Sequence, residues 1–213
     1  MRGVLLFPAL LLVCAATCAQ TTAPSVATSS QSLPQDKHDG LTLSADAYSN
    51  AARAKAKFPK ANPVPVGILP VEVFLHNDTD QPLQLDLSTI QLEVTLPNGQ
   101  KQGLDWLTLS QVASAISHPK GPSAPTARRF PIGIPGSGKD SKSDQLIDEL
   151  RPLSLDAEIV PPRGTIHGFL FFDVSHNMSL VEKATLYVPN VTVVATKKAL
   201  IFFEVALGRT PPS

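Results

Sequence analysis

Residues 133–140, GIPGSGKD, hold the G-x-x-x-x-G-K spacing of a loop whose backbone amides cradle phosphates while its lysine reaches the outer ones. Asp140 stands where a Ser or Thr hydroxyl would hold magnesium, and a carboxylate there opposes a triphosphate. No helical period starts at Lys139, so the stretch reads as a plain loop. The run His76-Asn77-Asp78-Thr79-Asp80 crowds oxygen ligands as a calcium loop does, but the Gly and bidentate Glu of that loop are missing. Asn and Asp that bond their own backbone, closed by Pro82, explain the same residues as a turn. Its outward groups, Asn77, Asp78 and Asp80, are candidate partner contacts. The histidines His38, His76, His118, His167 and His176 fall at no zinc-ligand spacing. No G-x-S-x-G elbow and no paired carboxylates mark a hydrolase. No catalytic residue, cofactor or metal ligand is therefore assigned.

Two aromatic positions complete the candidates. Trp106, the only Trp, lies in GLDWLTLS between a strand-like run and a capped helix. It reads first as a core anchor and second as a binding aromatic. Arg128-Arg129-Phe130 is the one local basic-aromatic cluster, able to pair with a carboxylate or a glycan acid.

The elements that must position these residues are short strands. Val71, Val73 and Leu75 alternate with Glu72, Phe74 and His76. Leu83, Leu85 and Leu87 alternate likewise, and so do Ile90, Leu92, Val94 and Leu96. A period of two marks half-buried antiparallel strands. Pro70 lacks a donor, which places the first of these strands at an edge or at a bulge. Pro97-Asn98-Gly99 is a tight-turn signal. Residues 45–58 predict a helix with Ala51, Ala52, Lys55 and Phe58 on one side. Thr108 with Gln111 forms a capping box ahead of Leu109, Val112, Ala113 and Ile116 at helical spacing. Residues 118–143 show no period, and loops of that length inside a domain commonly carry function. Leu146, Ile147 and Leu150 predict an inward face for a turn or two of helix. Residues 165–174, TIHGFLFFDV, are the most apolar run and predict a central strand covered on both faces. Near the end, Ile201, Phe203, Val205 and Leu207 predict one buried face.

Compartment follows from the first residues and from charge. Residues 1–19 hold one Arg, an apolar run and small residues, the pattern of a secretory leader ending before Gln20. The alternative is a lipoprotein acylated at Cys18. Simple cleavage removes both cysteines, Cys14 and Cys18, which excludes disulfides and thiolate metal sites from the rest. Residues 20–40 read as a disordered linker and 208–213 as a tail. The chain has 18 basic and 18 acidic residues, without the basic stripe of a nucleic-acid binder. A membrane is implied only if Cys18 carries lipid.

The residues GILPVEVFLHNDTDQPLQLDLSTIQLEV, followed much later by IVPPRGTIHGFLFFDV, resemble the Ig-like domains of bacterial secreted proteins and lipoproteins. The likeness spans residues 41–207, interrupted by an insertion at 97–150. It implies an immunoglobulin-like antiparallel β-sandwich in the cell envelope and transfers no catalytic residue. The expectation is a non-enzymatic β-sandwich, secreted or periplasmic, that binds an envelope or extracellular protein. Two alternatives stand beside it: a structural module that adds a strand at the Pro70 edge, and a secreted hydrolase on an atypical sandwich.

Overall fold

A computed structural model describes residues 33–119 and 141–208. Cys18, the cluster Arg128-Arg129-Phe130 and the 133–140 loop lie outside the described residues. Among the described residues the fold is mainly antiparallel β, with three sheets and few helices. The first sheet has the order β1-β2-β3-β8, from Gln35–His38, Leu41–Ala47, Ile68–Asn77 and Thr165–Asp173. A second, smaller sheet joins β10 (Val191–Val193), β4 (Leu83–Leu85) and β7 (Ile159–Val160). The third has the order β11-β9-β5-β6, from Phe203–Ala206, Thr185–Val188, Gln91–Thr95 and Lys101–Asp105.

One apolar core draws on all three sheets. Leu41, Leu43, Val71, Val73, Leu75 and Phe172 of the first meet Leu83, Val160 and Val191 of the second and Leu92, Val94, Leu186 and Phe203 of the third. The alternations read from the sequence at 71–75 and 90–94 are therefore the inward faces of β3 and β5. The opposite face of the first sheet is covered by helices. Phe58, Val112, Ala113, Leu146 and Leu150 pack there on Phe169 and Phe171 of β8. They come from the end of α1 (Ala51–Lys57), from α2 (Leu109–Ser117) and from α3 (Ser141–Leu150).

Several expectations change. The domain begins before residue 41, because Gln35–His38 pairs with β2 across a turn at Asp39 and Gly40, both at positive φ. A β1 of sequence QDKH has no apolar residue, so periodicity is silent there; the Asp-Gly pair is the signal that marks it. Pro70 is interior to the sheet, since β3 pairs with β2 on one side and β8 on the other. Its carbonyl accepts from Tyr48 N–H at 2.9 Å, where β2 has already ended at Ala47. Nitrogen and carbonyl of a strand residue point the same way, so the missing donor falls opposite Tyr48, one residue past the end of β2. The 45–58 helix shortens to Ala51–Lys57, capped by the Asn50 side chain, and buries Ala54 and Phe58 rather than Ala51, Ala52 and Lys55.

The run at Leu83 to Leu87 is strand only to Leu85 and then a 3-10 turn. The described parts of the expected 97–150 insertion belong to the domain: β6 lies in the third sheet, and α2 and α3 contribute to the second core. β8 is buried from Gly168 to Phe172 as expected, yet it is the end strand of its sheet and β3 is the inner one. Ile201 is exposed, while Phe203, Val205 and Leu207 are buried. The capping box at Thr108 and Gln111 is present, and α3 buries Leu146 and Leu150 with Ile147 half-buried beside them.

Candidate functional site

The turn after β3 is closed by its own side chains. Asn77 is fully buried; its Oδ1 accepts from Thr79 N–H at 2.9 Å and its Nδ2 donates to the Gln81 carbonyl at 2.8 Å and the Pro161 carbonyl at 3.2 Å. A side chain so enclosed is a structural strut and not the partner contact expected of it. Asp78 faces Lys37 at 3.1 Å and His76 at 3.0 Å. The hydrogen bond from Lys37 holds its carboxyl below the usual carboxylate range. Asp80 is held down in the same way by Arg163 at 2.8 Å. Both carboxylates already have cations, and no group of three or more potential metal ligands occurs among the described residues. His167 is exposed and stacks on Phe74, ring centroids 5.6 Å apart, as a rim histidine.

Trp106 instead stands in the wall of a cleft of about 380 Å³ beside the outer edge of β8. The Asp86 side chain accepts from Ser88 N–H at 3.1 Å, starting a one-turn helix that sends Leu87 inward. The Leu87 carbonyl then accepts from Trp106 Nε1 at 2.8 Å and sets the indole. Leu107 N–H donates to the Phe171 carbonyl at 2.7 Å, after which the Thr108 cap opens α2 at the cleft mouth. From the other side, Leu155 N–H donates to the Phe169 carbonyl at 3.0 Å. That crossing needs Gly168, where a Cβ would stand 2.5 Å from Leu155 nitrogen. Two segments thus dock on β8 two residues apart, and the cleft lies between them.

Its walls include Trp106, Leu109, Leu155, Phe169 and Phe171; its rim carries Ser88, Thr108, Asp156 and Glu158. Asp156 and Glu158 are exposed and have no cation within 4 Å among the described residues. A second hollow of about 310 Å³ shares Glu158 and adds Asp86, Asn190 and Thr192. Neither lining contains a histidine or cysteine, so neither pairs a nucleophile with an imidazole base. The chemistry available is seating an apolar group under a polar rim. Of the expected site residues only Trp106 is here; Asn77, Asp78 and Asp80 are not among its lining residues. Sequence reasoning missed Leu155, Asp156 and Glu158, which sit in an aperiodic stretch where two acids carry no signal alone.

No family model matches the chain, and no curated protein matches it. Among solved structures the chain is similar to "The crystal structure of a functionally unknown protein from Listeria monocytogenes EGD-e", at 14% identity and a TM-score of 0.34. The match covers 73% of this chain and 70% of that one. A likeness at this level carries no conclusion about fold or function.

Proposed function

We propose that the chain is a non-enzymatic, secreted or envelope-associated module of immunoglobulin-like β-sandwich type that binds a protein partner through the cleft at Trp106. The observation that supports this reading is the cleft's makeup: aromatic and aliphatic walls under a polar rim. Such a hollow, held by strands and a capped helix, is where a partner's anchoring side chain seats. The leader-like residues 1–19 support export. The test is crosslinking of the exported protein to its neighbours, with the Ser88→Arg variant in parallel. Ser88 is exposed at the rim, so the fold survives while the arginine obstructs the mouth. Capture of the main neighbour falls at least about tenfold, the loss expected at an interface centre; undiminished capture by Ser88→Arg sinks the cleft as the contact.

A second reading, strand addition, is favoured at β6 and not at Pro70. β6 pairs only with β5 among the described residues. The Leu96 N–H to Gln100 carbonyl bond sets the alternation that turns the backbone groups of Lys101 and Gly103 away from β5. Gly103→Pro removes an outward donor without touching the β5 ladder. Capture that survives Ser88→Arg and is lost in Gly103→Pro selects this reading.

A further inference from the structure

We propose that the partner segment seated in the Trp106 cleft is basic: it presents a Lys or Arg side chain within a residue or two of an apolar anchor. The inference rests on the cleft reading above and adds the chemistry of the occupant. The cleft of about 380 Å³ and the hollow of about 310 Å³ share Glu158, which lines both. The cleft supplies an apolar seat, walled by Trp106, Leu109, Leu155, Phe169 and Phe171. The hollow is lined by Gln84, Asp86, Glu158, Asn190 and Thr192, with Leu85 its one aliphatic residue. An apolar seat joined to an acidic, amide-lined one fits a single extended segment that carries both kinds of side chain.

Strand β4 fixes the acidic end. Leu85 N–H donates to the Glu158 carbonyl at 2.8 Å, and Asp86 N–H donates to the Asn190 carbonyl at 3.1 Å, which sets Glu158 and Asn190 on either side of β4. Asp86 Oδ1 accepts from Ser88 N–H at 3.1 Å and from the Ser88 hydroxyl at 2.5 Å, so neutral donors hold this carboxylate. Asp156 and Glu158 follow the Leu155 crossing and are exposed. Asp86, Asp156 and Glu158 have no cation within 4 Å among the described residues.

Neither lining contains a Lys, Arg or His. Of the cations nearby in sequence, Arg151 reaches Asp148 at 4.0 Å and Arg163 reaches Asp80 at 2.8 Å. Lys198 lies across from Val193 in the hairpin after β10, on the face opposite to that of Thr192. Asp105, next to Trp106, accepts from Gln91 Nε2 at 3.0 Å and adds a further negative charge. The apolar cleft defines the site, and the unbalanced carboxylates define what lies beside the anchor. They repel an acidic segment and draw in a basic one. A guanidinium, with its planar fork of donors, matches carboxylates flanked by amide groups.

The test titrates the exported protein with acetylated and amidated peptides and follows the emission of Trp106, the only Trp. The probes are Gly-Arg-Phe-Arg-Gly, its versions with Gln or Glu in place of both Arg, and its version with Ala in place of Phe. The Arg peptide shifts the emission with a Kd at least about tenfold below that of the Gln peptide, by a margin that shrinks in high salt. The Glu and Ala peptides bind at least about tenfold more weakly than the Arg peptide. Asp156→Asn with Glu158→Gln raises the Kd of the Arg peptide to that of the Gln peptide. Both side chains are exposed, so the unfolding midpoint stays that of the parent. Equal Kd values for the Arg, Gln and Glu peptides overturn the inference and leave the cleft reading standing, as does undiminished binding of the Arg peptide by the double variant. No emission change with any peptide also overturns it, and the cleft reading then stands or falls by Ser88→Arg capture. A dimer in light scattering that Ser88→Arg turns into a monomer overturns it too, since a second copy then fills the cleft.

Discussion

The two faces of the β1-β2-β3-β8 sheet are built on different principles. The inner face meets apolar side chains of the other two sheets, and Val71, Val73, Leu75 and Phe172 are all within 1% of full burial. The outer face is just as closed near its middle, yet Glu72 sits there at 6% exposure. Glu72 accepts from Tyr48 OH at 2.7 Å and from Lys57 Nζ at 3.3 Å. Arg53 lies 4.0 Å over the Tyr48 ring and forms a two-pronged pair with Asp46. Phe58 and Phe171 complete the layer with Phe169. The inner face is held by volume, and any well-fitting apolar set would serve. The outer face is held by volume plus a hydrogen-bonded charge network, which places α1 in one register on the sheet.

Three experiments break or sharpen this contrast. The largest effect belongs to the inner face: Phe172→Ala removes a fully buried ring between sheets and costs about 3–5 kcal/mol. Chemical denaturation measures it, and a cost smaller than that of the outer-face variants would remove the distinction. Next is the network. Glu72→Ala leaves the Tyr48 hydroxyl and Lys57 without their acceptor and costs about 2–3 kcal/mol. The pair Glu72→Leu with Tyr48→Phe removes the buried hydroxyl with its acceptor, leaves only the water-accessible Lys57 unpaired and recovers most of that loss. A double variant as unstable as Glu72→Ala would mean that packing, not pairing, governs this face.

The smallest effect is read by pH. Burial, then the hydrogen bond to Glu72 and its negative charge, push the Tyr48 hydroxyl from 10.0 up to about 12. A folded-state pKa above the unfolded value contributes stability that is whole below pH 10 and is lost as pH rises towards 12. Absorbance of the two tyrosines in alkaline titration shows one late step, which Tyr48→Phe deletes. If the step that Tyr48→Phe deletes falls near 10, the network is contradicted.

The same contrast separates what could be read in advance. Strand alternation exposed the inner faces of β3 and β5, because side-chain direction along a strand is local. The Pro97-Asn98-Gly99 turn and the Thr108–Gln111 cap were equally legible, since each is closed by neighbours within three or four residues. The outer face was legible at β8, where the run 165–174 reads as covered on both sides, and not at β3. Glu72 reads as the wet position of an amphipathic strand until Tyr48 and Lys57 of α1 close on it. The candidate site fared likewise: Trp106 was visible as a lone aromatic, but its cleft needs Leu155, delivered to β8 across Gly168.

By itself, then, the order of residues determined the β-rich class, the turns and which side of each regular strand seeks the core. Those features follow from steric preference and short-range bonding within a few residues. Only the tertiary structure decided that Pro70 is interior, that a polar QDKH segment is a strand and that Ile201 stays outside. The first two depend on a partner far along the chain: Pro70 on Phe171, and β1 on Phe202 and Glu204. No local pattern encodes which distant surface arrives to cover a residue, so burial outside a regular period is settled only when the sheets meet.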